Sequence, residues 1–199
     1  MHPNPAFRTD DRVLLARLIE EVGFGRVFAQ TTEGPRVAHT PLAATPDGRV
    51  LFHLARRNLL TPHLDGAQAL IVIEGPQGYV SPRWYANRDT VPTWNYVALE
   101  LEGQVSVIEN AALEAMLHAL IAKHEGELAG EPWLATETSE RVWTAQLKGI
   151  VGFAMTVDAS RSTVKLSQKS GPDERAVVAR GIEAAGNPAL ARWMQDAAA

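Results

Sequence analysis

Cysteine is absent from this chain of 199 residues. Its absence excludes disulfides, thiolate nucleophiles and every zinc or iron–sulfur site built on sulfur, and it fits a reducing compartment. Long apolar runs are missing too, since none approaches the roughly 20 residues needed to span a bilayer. The opening Met1-His2-Pro3-Asn4-Pro5 has no basic stretch ahead of an apolar core. No secretory signal is therefore expected, and a soluble cytoplasmic protein is. Basic excess is also lacking: the net charge is −4 and the pI near 5.9. Non-specific affinity for nucleic acid comes mostly from Lys and Arg clustered on phosphates. The five basic residues between Arg161 and Arg180 stand against Asp173 and Glu174, the balance of an ordinary solvated face.

Several motifs are missing as well. There is no Gly-x-Gly-x-x-Gly turn and no Walker loop, so nucleotide binding of those kinds has no support. His118 and His124 are six apart, which puts them on different faces of a helix, and no His-Glu-x-x-His occurs. No metal site is expected. Ser81 lacks a nucleophile-elbow context, which argues against hydrolase chemistry.

What is present reads as a globular protein, 46% apolar and 21% charged, long enough to bury a core without staples. Residues 10–22 carry Val13, Leu14, Leu18 and Ile19 at helical spacing, with Asp10 and Asp11 suited to the helix start and Gly23 to its end. From Phe24 the period changes to two. Strands are expected over Arg26–Thr31 and Arg36–Ala43 around the turn Glu33-Gly34-Pro35. Arg49–Leu54 follows the turn Thr45-Pro46-Asp47-Gly48. Ala69–Glu74 reads as a short strand closed by Gly75-Pro76, and Tyr96–Ile108 as a long one bulged at Gly103. A helical stripe of Leu113, Met116, Leu117, Leu120 and Ile121 follows an Asn110 cap, and a second helix spans Ser139–Leu147. Gly149–Val157 reads as a last buried strand. Gly171-Pro172 and Asn187-Pro188 start two final helices. Five or six strands joined by short turns point to a barrel.

Two segments follow no core pattern. Thr90-Val91-Pro92-Thr93-Trp94-Asn95-Tyr96 and Lys165-Leu166-Ser167-Gln168 set polar hydrogen-bonding residues beside Trp or Leu in strand-like runs. Further such segments are Phe24-Gly25, His39-Thr40-Pro41-Leu42, His53-Leu54-Ala55-Arg56-Arg57-Asn58 and Tyr79-Val80-Ser81-Pro82-Arg83-Trp84-Tyr85. In this order and spacing they closely resemble the signature segments of the PaiB-type FMN-binding family, over Phe7 to Arg180. The resemblance implies an α+β, mainly β fold: an FMN-binding split β-barrel with flanking helices. It makes residues 1–199 one domain with an N-terminal helix, a helical insertion at about 110–147 and C-terminal helices. It also implies FMN as cofactor and a homodimer with the flavin at the subunit interface.

FMN makes two demands: cations and donors for its phosphate, and apolar walls with a few donors for its ring. The resemblance assigns the first to His53, Ala55, Arg56 and Asn58 at a strand end, where Arg56 can grip phosphate through two parallel bonds. The family usually reads Arg-Ala-Asn-Pro there; this chain has Arg57 and Leu59 in place of the small residue and the proline. His39, Thr40, Pro41 and Leu42 would run beside the ring, Pro41 suiting an edge or bulge. His39 is a proton-donor candidate, although a lone strand histidine is more often structural. Thr93, Trp94 and Asn95 would give polar contacts and an aromatic wall; Trp94 alone would suit a core equally well. Lys165 and Ser167, alternating on one strand face, would steady the phosphate or the reduced ring, with Gln168 donating to a ring carbonyl. Lys169 stands where the family has Asn. Ser81, Trp84 and Tyr85 suit a structural role as well as a functional one.

For function, the resemblance implies a negative transcriptional regulator, with direct DNA binding unsupported by charge. A flavin-dependent oxidoreductase of the pyridoxamine-phosphate-oxidase or flavin-reductase kind is the second class. A redox-sensing dimer is a third.

Overall fold

The computed structural model describes residues 3–10 and 12–196. Asp11, expected at the first helix start, and the side chain of Leu14 in its stripe lie outside the described residues. Among the described residues six strands are present: β1 (Phe24–Thr31), β2 (Gly34–Ala44), β3 (Val50–Ala55), β4 (Gln68–Val80), β5 (Thr93–Val107) and β6 (Ile150–Lys165). Their order is β1-β2-β3-β6-β5-β4, and it closes on itself as a barrel. Five α-helices accompany them among the described residues: α1 (Arg12–Val22), α2 (Asn110–Glu127), α3 (Glu140–Leu147), α4 (Pro172–Ala184) and α5 (Pro188–Asp196). The class is the expected one, α+β and mainly β.

The chain divides into two compact units. One comprises Ile19–Val72 and Leu101–Ser160. Here β1 and β2 form the predicted hairpin, in register from Phe24 opposite Pro41 to Thr31 opposite Gly34. Pro41 thus pairs at the first residue of β1. β3 pairs with β2 on one side and with β6 on the other, from Val50 opposite Met155 to Ala55 opposite Ile150. Alternate residues point inward, and the buried set includes Val27, Leu42, Phe52, Ile71 and Met155. Phe52 stacks on Phe153 with ring centroids 5.4 Å apart. Gly23 takes φ +58° and its N–H caps the Ile19 carbonyl, which ends α1 as its sequence predicts. Helix α2 is capped by Glu109 rather than Asn110, with no side-chain bond at the cap. α2 and α3 lie within residues 110–147.

The other unit comprises Met1–Leu18, Ile73–Glu100 and Arg161–Ala199. Its buried side chains include Leu18, Ile73, Val97, Leu166, Ile182 and Trp193. Val13, expected on the apolar stripe of α1, is 79% exposed. Two strands run longer than periodicity suggests. β4 passes straight through Gly75-Pro76 to Val80. Gly75 is no strand end: a Cβ there would lie 2.6 Å from Leu18 Cδ1 and 3.2 Å from Val97 Cβ, so its missing side chain admits the leucine of α1. β6 continues past Val157 to Lys165 through a largely polar stretch, exposed over residues 158–160 and buried at Ser162, Thr163 and Val164, that shows no apolar alternation. Its extension brings Lys165 to the end of a strand.

Candidate functional site

The predicted residues fall into two groups, one in each unit. In the unit containing β5's start, Thr93 and Asn95 are two apart on β5, so they share a face. Across from them the chain leaves β6 at Lys165 and turns. Lys165 Nζ donates to Thr93 Oγ1 at 2.5 Å, and Asn95 Nδ2 donates to Ser167 Oγ at 2.9 Å and to Met194 Sδ at 3.4 Å. The expected sharing of one strand face by Lys165 and Ser167 does not occur, because the strand has ended. Ser167 instead has φ +63°, the one positive φ outside glycine among the described residues. That conformation costs on the order of 1–2 kcal/mol for an L-residue. It is what delivers the hydroxyl to Asn95.

Gln168 has a different task from the expected one. Its Oε1 accepts from Leu166 N–H at 2.7 Å and its Nε2 donates to the Val164 carbonyl, so both ends of the amide staple this turn. Trp94 is 48% exposed on the opposite face of β5. Its Nε1 donates to Gln77 Oε1 at 2.6 Å, and its ring meets Tyr79 edge-on at 6.3 Å, so it is not a core residue.

Thr93, Asn95, Lys165 and Ser167 line a cavity of about 310 Å³, joined by Phe7, Tyr85 and Lys169. Asn95 is 0% exposed and its Oδ1 has no hydrogen-bond partner among the described residues. A buried acceptor left without a donor costs about 1–3 kcal/mol. The burial of Lys165, reinforced by the charge of Lys169, pulls its ammonium below the usual lysine range. Both ammonium groups sit near the buried Phe7 ring, at 5.9 and 5.8 Å from its centroid. Phe7 had no local signal in the sequence; its segment is held by Thr9, which exchanges two hydrogen bonds with Ser162. Trp84 packs against α4, where a Cβ on Gly181 would lie 2.6 Å from its ring.

In the other unit, His39 is exposed on the outer face of β2, while Thr40 and Leu42 point into the core. Thr40 Oγ1 donates to the His53 carbonyl at 2.6 Å, a ladder-side bond between β2 and β3. His53 is half-buried and its Nδ1 is without a partner among the described residues. Burial lowers its pKa from 6.5. Below that value the unfolded chain takes up a proton that the folded chain resists, so stability falls as pH drops through it. Thermal unfolding at pH 7.5 and pH 5.5 should show a larger loss in the wild type than in His53→Gln; equal losses would remove His53 from the acid response.

Arg56 lies in the turn after β3, with Ala55 at the strand end. Its Nε donates to the Lys148 carbonyl at 2.9 Å and its Nη2 to the Ile150 carbonyl at 3.0 Å. Asn58 Oδ1 accepts from Leu60 N–H at 2.9 Å. Both residues open onto a cleft of about 490 Å³ shared with Arg57, Arg36, Glu33 and His63. Among the described residues no three His, Asp or Glu side chains gather as metal ligands would, and no helix is long and apolar enough to cross a membrane.

These groups suit FMN. A cationic cleft fits the phosphate, and a buried acceptor beside lysine and serine donors fits a ring edge with N–H between two carbonyls. Residues 1–159 match the family described as "Putative FMN-binding domain". The chain belongs to that family. It is an FMN-binding protein, and FMN is its cofactor. Lys165, Ser167 and Gln168 lie beyond the matched stretch, but similarity to one relative runs further. The chain is 28% identical to "Protease synthase and sporulation protein PAI 2" of Bacillus subtilis, over 96% of this chain and 94% of that one. Solved structures share the fold. The FAD and heme binding protein from Mycobacterium smegmatis superposes with a TM-score of 0.63 at 17% identity, covering 90% of this chain and 80% of that one. The flavocytochrome Anf3 from Azotobacter vinelandii gives 0.61 at 15% identity, covering 88% and 78%. The FMN-binding family's barrel with flanking helices is therefore the fold of this chain.

Proposed function

We propose that the protein is a homodimeric, PaiB-like FMN carrier that acts as a negative regulator of transcription. The observation that carries the flavin site is the orphaned Oδ1 of Asn95, held between Lys165 and Ser167. The pyrimidine edge of a flavin presents carbonyl, N–H, carbonyl. Asn95 Oδ1 accepts from the N–H, and the Lys165 ammonium and Ser167 hydroxyl donate to the carbonyls. Phe7 and Tyr85, which line the same cavity, supply an aromatic wall; Trp94, on the opposite face of β5, does not. The cleft at the end of β3, lined by Arg56, Arg57 and Asn58, takes the phosphate. His53 and Ala55 belong to the same strand end, and His39, Thr40, Pro41 and Leu42 are the ring-side candidates, although Thr40 and Leu42 are buried in the core.

Dimerisation is supported by apolar side chains left open, Phe24 and Val37 in one unit and Tyr79, Val91 and Trp94 in the other. Flavin seated between subunits would draw its two groups of contacts from opposite chains. Regulation is supported by likeness to the Bacillus subtilis protein along nearly the whole chain. With a net charge of −4, control through a partner protein is favoured over a DNA-binding surface. The protein works in the cytoplasm.

Oxidoreductase activity is the second reading, favoured by one observation. Lys165 is a partly desolvated cation whose pKa is lowered, beside an open cavity. Bound FMN supplies hydride or electron transfer; Lys165 would offset negative charge gathering at the carbonyl edge. The test is a flavin titration with measurement of dimer mass. Lys165→Ala should weaken FMN binding about tenfold, the loss of one charge-assisted bond, and leave the dimer intact. A variant that loses the dimer but keeps its flavin affinity would make Lys165 an interface residue. Rapid bleaching of the bound flavin by NAD(P)H would move the assignment to the oxidoreductase.

A further inference from the structure

We infer that Arg57, rather than Arg56, is the residue that grips the phosphate monoester in the cleft at the end of β3. This rests on the FMN reading above and deepens it by choosing the cation. Arg56 is already committed. Besides the bonds from Nε and Nη2 to the carbonyls of Lys148 and Ile150, its backbone N–H donates to the Gly149 carbonyl at 2.7 Å. These three bonds tie the turn after β3 to the start of β6. Releasing the guanidinium for a ligand would strand two carbonyls and loosen that tie.

Arg57 is the opposite case. It is exposed, lines the same cleft, and makes no hydrogen bond or ion pair among the described residues. A planar guanidinium with five unspent N–H donors suits two oxygens of one phosphate. Arg36, across the cleft, is held by Glu33 at 3.2 Å and by the Pro35 carbonyl at 3.1 Å, so it is partly neutralised. Asn58 has spent its Oδ1 on Leu60 N–H, which leaves Nδ2 as a donor beside Arg57. Three arginines against one carboxylate leave the cleft with two positive charges. A phosphate monoester carries about −1.5 to −2 near pH 7, a close match. Arg57 is also the residue by which this chain departs from the small residue usual in the family, so its charge is an addition of this sequence.

The test compares FMN with riboflavin, which has the same ring and no phosphate, by quenching of flavin fluorescence on the full chain. The wild type should prefer FMN, and Arg57→Ala should lower FMN affinity about 10- to 100-fold while leaving riboflavin affinity unchanged. Arg56→Ala should lower the thermal midpoint and weaken both flavins together, as a residue that positions the turn would. An Arg57→Ala protein with its full preference for FMN overturns the assignment, as does a wild type that binds the two flavins equally. A second arm uses inorganic phosphate alone on flavin-free protein. If no flavin binds but phosphate raises the thermal midpoint of the wild type and not of Arg57→Ala, the FMN reading falls while the cleft's assignment stands for another phosphate monoester. No response to phosphate in a protein that takes up no flavin overturns both.

Discussion

Replacing Asn95 with leucine is expected to cut FMN affinity about 10- to 100-fold while leaving the flavin-free protein as stable as before, or more so. The two effects have one cause. Asn95 is wholly buried, its Oδ1 has no donor, and its Nδ2 is spent on a serine hydroxyl and a thioether. An apolar side chain of similar volume removes the unsatisfied acceptor, worth roughly 1–3 kcal/mol, against the loss of a neutral hydrogen bond to the serine of about 1 kcal/mol and a weaker one to sulfur. On the proposed reading, a flavin N–H supplies the donor that this buried oxygen lacks. Thermal unfolding and flavin titration of one preparation check both halves. A variant that unfolds more easily and binds flavin normally would make Asn95 a strut for the Ser167 turn and nothing more.

Gly103→Ala is expected to cost about 3 kcal/mol or more, which in a chain of this size lowers the midpoint by roughly 6–12 °C. Gly103 lies within β5, against the Thr156 backbone. A Cβ at that position would stand 1.8 Å from the Thr156 carbonyl oxygen and 2.8 Å from its carbon. These are backbone atoms and cannot swing aside, so β5 and β6 would have to part. The control is Gly126→Ala in α2, where a Cβ meets nothing within 4 Å. There alanine's helix propensity should raise stability by about 0.5–1 kcal/mol. Equal effects from the two substitutions would mean that the close approach at Gly103 is not held in solution.

Much of this fold was legible where short-range chemistry decides it. Glu33-Gly34-Pro35 and the run from Thr45 to Gly48 set the ends of β1, β2 and β3, and Gly23, Pro172 and Pro188 set helix ends, because turn and cap geometry depends on neighbours in sequence. Gly75 misled for the opposite reason. It serves a close approach by Leu18, distant in the chain, and local pattern carries no trace of that partner, nor of the Thr156 carbonyl that approaches Gly103. The same distinction holds for the site. The segments Thr93–Asn95 and Lys165–Gln168 stood out because their polar residues fit no core pattern. What each residue does was hidden: Arg56 is occupied by carbonyls more than ninety positions away, and Gln168 folds back on its own turn. Phe7, beneath two lysines, had no sequence signal at all.

The central claim is that this chain holds FMN through its own side chains. The most direct measurement is the visible absorption spectrum of freshly purified protein, with the released chromophore identified by mass. The expected result is a flavin spectrum, FMN as the chromophore, and one FMN per chain after reconstitution. A colourless protein that also fails to take up added FMN would contradict the account.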